Sequence, residues 1–355
     1  MTNALVTSAC GIAGVNFRRA LRLDKKIKIF GTEMNYYHKV FQNNDPVFLV
    51  HSPKNHKYLN EINKIIKDNN IDFLHPQSSP ELQVITMNKN RIKATTFLPS
   101  KEIVLKDKFS QQELLRQNDI PVAKTLPLKS INEIELIKNK PTFPVWVRAR
   151  KGVGGRLSIK CNSKEEIFHW VKLCQLQKRA SVNEFLIQKF LSGRDIAWDS
   201  LWYNGELIVS YARQRLEYPF SKLTMSGITG TPTVAKIIHD KQVNDIAYNA
   251  VKVLAKKPHG CFSVDLKEDD KGLPHITEVD AGKFHTTIGL WSYSAEKILK
   301  LPWLYNLPRL YVHIGMGRET PIQNKFNIYP KNMYMIRNLD CGAWIKLSNF
   351  EEQII

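Results

Sequence analysis

The chain has 355 residues, 43% of them apolar and 24% charged, a composition that allows two or three cores and excludes wholesale disorder. Lys and Arg outnumber Asp and Glu by 52 to 33, a formal net charge of +19, so an anionic partner is expected among nucleic acid, membrane and nucleotide. The basic residues are scattered, with only short runs such as Lys25-Lys26 and no zinc-finger spacing, aromatic RNA-binding signature or basic tail, which argues against nucleic acid. The five cysteines, Cys10, Cys161, Cys174, Cys261 and Cys341, are isolated, which argues against a disulfide framework or structural zinc and fits a reducing compartment. The first residues lack the basic and apolar regions of a signal peptide, and no apolar run has the length of a membrane span. The expectation is a cytoplasmic protein with no membrane partner.

In chain order, an apolar strand over residues 3–8 leads into the small-residue turn Ser8 to Gly14, then a helix presenting Val15, Phe17, Ala20, Leu21 and Leu23, then the strand Ile27 to Phe30. Strand, tight turn, helix and strand make a βαβ unit and hence a parallel sheet. A helix near 55–69, a strand at 71–76 and a helix from Pro80 extend it to a doubly wound unit ending near residue 105. Gly11, Gly14 and Glu33 form a partial dinucleotide fingerprint, but its first glycine is Ala9 here. NAD is therefore disfavoured, and the glycines read as allowing close helix–strand packing.

Asp107-Lys108-Phe109 opens a helix that runs through Leu115 and stops before Ile120-Pro121. A helix near 130–139, a strand at 143–148 and a second strand at 157–160 follow. Between the two strands lies Ala149-Arg150-Lys151-Gly152-Val153-Gly154-Gly155-Arg156. A loop rich in Gly, Arg and Lys lays backbone N–H groups and cations over phosphates, although the same sequence suits a plain hairpin tip. It is not a Walker loop, since no helix with G-K-[ST] follows. A strand at 184–191 precedes Ser192-Gly193-Arg194-Asp195, and Asn204-Gly205 turns a hairpin into the strand Leu207 to Arg215.

After a helix near 240–256, the segment Gly260 to Asp280 reads as a hairpin around Lys271-Gly272. That turn sets Asp265 opposite Glu278 and puts Asp280 on the same face. Three like charges on one face require a counter-charge. An oxygen-only set suits Mg²⁺ or Mn²⁺ bridging to phosphates, while the plainer alternative is a solvated hairpin face. The tail, broken by Pro302 and Pro308, ends in a hairpin of Met333 to Arg337 with Ala343 to Ile345.

In this order the pieces resemble the ATP-grasp superfamily, most closely its carbamoyl-phosphate-synthetase-like carboxylate–amine ligases. The resemblance implies an α/β (α+β grasp) protein: a pre-ATP-grasp Rossmann-like domain at 1–106 with the doubly wound parallel sheet, an ATP-grasp domain at 107–300 with a small lid at about 120–187, and a C-terminal extension at 301–355 whose hairpin packs on the grasp. It implies ATP and Mg²⁺ or Mn²⁺ as cofactors. Lys108, Arg148, Gly152, Gly154 and Gly155 would contact phosphates, the backbone of Gln188, Lys189, Phe190 and Leu191 would read adenine, and Asp195 would hold the ribose. Asp265, Glu278 and Asp280 match the metal positions. The family's usual Asn is Asp280 here, its Lys-Pro or Arg-Pro is Arg148-Ala149, and its Arg beyond the last ligand is Gly282. Arg213, Arg215 and Lys283 are then the candidates for holding the substrate carboxylate and the anionic intermediate. The activity implied is acylphosphate formation from a carboxylate followed by coupling to an amine, in a chain that acts alone or as a homodimer. A bicarbonate-using carboxylation enzyme and a non-catalytic nucleotide-binding regulator are the alternatives.

Overall fold

The computed structural model describes residues 1–134, 142–150, 155, 157–318, 325–338, 343–347 and 350–353. The first sheet contains β1 (Thr2–Val6), β2 (Ile27–Glu33), β3 (Val47–Leu49) and β4 (Phe73–His75), all parallel in the order β3-β2-β1-β4. Its helices are α1 (Ile12–Leu21), α2 (Tyr58–Asp68) and α3 (Ser79–Met87), followed by the short α4 (Lys101–Val104). Alternation along β1 divides the packing. Leu5 faces a cluster with α2 and α3, whereas Ala4 and Val6 face a larger cluster shared with the second sheet. The glycine turn serves packing, as the sequence indicated. A Cβ on Gly14 would stand 2.3 Å from the Ser8 carbonyl oxygen. Glu33 accepts the backbone N–H groups of Cys10, Met34 and Asn35, so its carboxylate is consumed within the chain.

Next come α5 (Lys108–Gln117) and a small antiparallel sheet of β5 (Thr125–Pro127), β6 (Val145–Ala149), β7 (Ile159–Cys161) and β8 (Phe185–Lys189), in the order β5-β8-β6-β7, covered by α6 (Lys164–Leu176). Of the helix expected near 130–139, a single 3₁₀ turn at Ile131–Ile134 lies within the described residues.

The second sheet is antiparallel and joins β9 (Asp195–Tyr203), β10 (Glu206–Glu217), β11 (Val234–Ile238), β12 (Gly260–Glu268) and β13 (Pro274–Ala281) to β14 (Tyr334–Arg337), β15 (Ala343–Leu347) and β16 (Phe350–Gln353). The order is β13-β12-β9-β10-β11-β14-β15-β16. The tail hairpin therefore extends the large sheet itself, adding a third strand that the sequence reading did not foresee. One face of this sheet buries Trp198, Trp202, Ala212, Phe262 and Val264 against α7 (Lys241–Leu254) and Leu115 of α5. The other face packs Leu201, Tyr211, Cys261 and Met335 against α8 (Ile288–Tyr293), α9 (Leu307–Gly315) and the parallel sheet. Farther along the same strands, that second face becomes polar.

Among the described residues no helix is long and apolar enough to cross a membrane. The four described cysteines are buried and free.

Candidate nucleotide-binding site

A cavity of about 620 Å³ opens between the small sheet and the polar part of the large one. α5 forms part of its wall because its glutamines are bonded to β13. Gln111 donates to the Val279 carbonyl at 2.9 Å and accepts from the Val279 N–H at 3.1 Å, and Gln112 donates to the Thr277 carbonyl at 3.2 Å. Asp107 caps the helix by accepting from the N–H groups of Phe109 and Ser110. The Lys108 ammonium is thereby placed 3.1 Å from one oxygen of Glu278. Arg148, from β6 of the small sheet, reaches the other oxygen at 3.2 Å.

The carboxylate hairpin has the register expected between Asp265 and Glu278, by a route the sequence did not show. Near the turn the pairs are Glu268 with Pro274 and Leu266 with Ile276, and a bulge at Thr277 then shifts the ladder so that Asp265 faces Glu278. The counter-charge demanded by these acids comes from the protein. Arg215 donates to Asp265 at 2.5 Å and to Asp195 at 3.0 Å, while the Tyr218 hydroxyl donates to the second oxygen of Asp195 at 2.8 Å. Burial opposes ionisation of Asp265, but Arg215 outweighs it and lowers its pKa to about 2. Asp280 pairs with Lys283 at 2.7 Å, and each holds the other in its charged form against the cost of burial.

Not every residue singled out from the sequence reaches the cavity. Lys108, Arg148, Gly155, Gln188, Lys189, Phe190, Leu191, Asp195, Arg215, Asp265 and Glu278 line it; Arg213, Asp280 and Lys283 are absent from its wall. Gly152 and Gly154 lie outside the described residues. Arg213 is 1% exposed and paired with the wholly buried Asp199, and burial beside Arg215 lowers its pKa to about 9. The Gln188 side chain turns inward, donating to Gln112 at 3.0 Å and to the Thr125 hydroxyl at 2.8 Å, so it ties the small sheet to α5. At Gly282 the backbone has φ +86°, and a Cβ would come within 2.9 Å of Leu82 and 3.2 Å of Pro99. No long cationic side chain fits there, which gives a physical reason for the departure noted in the sequence.

Sequence reasoning missed two groups here. Asp199 accepts from Ser263 at 2.6 Å and lies 3.0 Å from Nδ1 of His285, whose Nε2 is 3.7 Å from Asp265. Burial pushes the His285 pKa down to about 3, so the ring is neutral. The signal was the alternation of β9, which puts Asp195 and Asp199 on one face. Arg194, bonded to Glu268 at 2.8 Å and Asp240 at 2.7 Å, fixes the start of β9 beside the cavity.

Residues 107–255 match the family model for the carbamoyl-phosphate synthase L chain, ATP binding domain. That stretch is similar to an ATP binding domain. Carbamoyl phosphate synthase large chains of Thermoanaerobacter sp. (strain X514) and Caldanaerobacter subterraneus subsp. tengcongensis are both 22% identical to it, over 60% and 66% of this chain. The chain spans about a quarter of those relatives' length, 22% and 24% respectively. Among solved structures, it resembles L-amino acid ligase from Bacillus licheniformis (TM-score 0.67, 12% identity, 94% of this chain and 79% of that one). It also resembles N5-carboxyaminoimidazole synthetase from Staphylococcus aureus (0.68, 13%, 94% and 82%) and biotin carboxylase from Campylobacter jejuni in its β,γ-ATP complex (0.70, 12%, 94% and 74%). The fold is that of the ATP-grasp ligases.

The donor set at the cavity wall fits a divalent cation. Asp265 and Glu278 supply hard oxygen atoms at the cavity wall. Among the described residues no three His, Cys, Asp or Glu side chains converge as a ready-made cage. Two carboxylates completed by phosphate oxygens are the arrangement Mg²⁺ favours.

Proposed function

We propose that the chain is an ATP- and Mg²⁺-dependent ligase that activates a carboxylate as its acylphosphate and passes the acyl group to an amine, releasing ADP and phosphate. The observation that supports this most directly is the convergence of Lys108 and Arg148, from opposite walls of one cavity, on Glu278 beside Asp265. Triphosphate entering there meets two fixed cations and two carboxylates. The segment at about 120–187 acts as the lid over it, and the backbone of residues 188–191 reads the base. Asp195, already oriented by Arg215 and Tyr218, offers its carboxylate to the ribose hydroxyls.

Asp265 and Glu278 would hold the metal, which when bound spreads the charge of the transferring phosphoryl group. Lys108 and Arg148 supply fixed positive charge as the γ-phosphoryl group leaves ADP, without reorganisation during the step. The substrate carboxylate attacks phosphorus in line, and the amine then displaces inorganic phosphate. Cover by the small sheet keeps water from the acylphosphate. His285, neutral and bonded within the protein, orients Asp265 and takes no proton.

Calorimetry with a non-hydrolysable ATP analogue tests this reading. Binding is expected with Mg²⁺ or Mn²⁺, much weaker binding without metal, and poor binding of NAD. NAD binding more tightly than the Mg²⁺-nucleotide would overturn it. An ADP-release screen against pools of carboxylates and amines, with and without bicarbonate, then separates amide formation from carboxylation.

A further inference from the structure

The connection between β2 and β3 contains a 3₁₀ segment, Tyr36–Gln42, in which no residue is buried. Tyr36, Tyr37, Val40 and Phe41 are 72%, 82%, 75% and 54% exposed, and Met34 and Leu49 on either side are nearly half exposed. Leu49 pairs beside Glu33, next to Met34, so the apolar side chains adjoin one another. We propose that this surface is the contact between two copies of the chain related by a twofold axis.

The backbone beneath these side chains is fixed. The guanidinium of Arg18, wholly buried, donates to the carbonyls of Ala9, Phe41 and Gln42 and pairs with Asp45 at 2.6 Å. Glu33 accepts from the N–H groups of Met34 and Asn35, and the Asn35 side chain accepts from the N–H of Tyr37. A buried cation is thus spent on a segment that adds nothing to the clusters on either face of the parallel sheet. Side chains pinned outward in this way are preorganised, and docking them costs little further ordering.

Area and charge both favour a second copy as the occupant. At about 200 Å² for a fully exposed aromatic side chain, Tyr36, Tyr37 and Phe41 present on the order of 400 Å², and Val40, Met34 and Leu49 raise this to about 700 Å². A standard interface takes about 800 Å² from each partner, and a monomer seldom leaves so large an apolar patch in water. Each chain carries a net charge of +19, so two copies repel and meet at least cost where charge is lacking. Besides the tyrosines, His38 and Lys39 are the only ionisable side chains from Met34 to Asn44, and Lys39 is half-buried with its charge felt at the buried Cys10 thiol. An acidic partner would therefore find no exposed lysine or arginine in the segment. Tyr36 and Tyr37 already meet edge to face, 5.9 Å between ring centroids, and a twofold axis brings the same rings of the other copy against them.

Sedimentation velocity of the full chain over a concentration series tests this, with no nucleotide or substrate needed. We expect a dimer with a dissociation constant of about 1 µM or below, the range open to an interface of this area. Added salt should tighten it, because salt screens the repulsion between the two charged copies. Tyr37→Glu and Val40→Glu, each made separately, should weaken it on the order of 30-fold or more by placing a charge at the centre of the contact. Both positions lie outside the cores, so thermal unfolding of the monomer should be unchanged. Leu223→Glu alters an equally exposed apolar residue, 80% exposed in the loop before β11, and should dimerise as the wild type does. A wild-type chain that stays monomeric up to about 100 µM, well above that range, overturns the assignment. So does a dimer that survives both Glu variants, one that Leu223→Glu disrupts equally, or one that dissociates as salt is added.

Discussion

At the scale of single residues, two side chains carry consequences that solution measurements can read. Glu278 is the point on which Lys108 and Arg148 converge, so Glu278→Gln keeps the shape and removes the charge. We expect intact folding and turnover lowered by about 10²-fold or more, from lost stabilisation of the phosphoryl-transfer transition state. Unchanged ADP release in that variant would return the hairpin to a merely structural part. His75 gives a pH prediction. Its ring is stacked on Phe17 at 4.3 Å and bonded through Nε2 to Gln77 at 2.9 Å, and burial lowers its pKa from 6.5 to about 4. The unfolded chain thus takes up this proton first as pH falls. The stabilisation from neutral His75 is complete above about pH 6.5 and is lost progressively towards pH 4, at up to about 1.4 kcal/mol per pH unit. Urea unfolding at a series of pH values should show a shallower loss across that window in His75→Gln; parallel curves would mean that the ring is protonated in the folded chain.

At the scale of elements, the seam between α5, β13 and the small sheet depends on one amide. Gln112 donates to the Thr277 carbonyl and accepts from Thr125 at 2.5 Å and from Gln188 at 3.0 Å. Gln112→Ala leaves these buried groups without their partner, a loss of about 1–3 kcal/mol. Because the same bonds hold Lys108 over Glu278, KM for ATP should rise in steady-state assays even where the variant stays folded. A variant that loses stability with KM for ATP unchanged would separate the seam from the site.

What the sequence disclosed at this scale follows from range. The βαβ start, the helix opening at Asp107-Lys108-Phe109 and the pairing of Asp265 with Glu278 rest on neighbours in sequence or on a two-residue period, and all are present. The Thr277 bulge was hidden because it compensates a one-residue difference in the turn. The partners of Arg213 and Gln188 were hidden because they are chosen across strands, Asp199 from the adjoining one and Gln112 from a helix 76 residues away. Position 282 looked like a missing cation and is instead a left-handed backbone pressed on Leu82.

At the scale of the whole molecule, the tail completes the sheet that bears the site. Met333, Met335 and Ile345 are fully buried in the cluster shared with the parallel sheet. Removing residues 330–355 would expose that cluster and turn β11 into an unpaired edge, so the shortened chain is expected to aggregate. Light scattering and sedimentation of the deletion would check this; a soluble monomer with wild-type nucleotide affinity would show that the tail is dispensable.

The position of β14 also bears on how the protein matures on the ribosome. β9, β10, β12 and β13 can pair once residue 281 has emerged, and the cavity wall they form draws on nothing synthesised later. The strand beside β11 arrives some fifty residues afterwards. Until then a nascent chain can bear a nearly finished cavity next to an open sheet edge. A nucleotide bound early in that cavity would hold the four strands together during that interval.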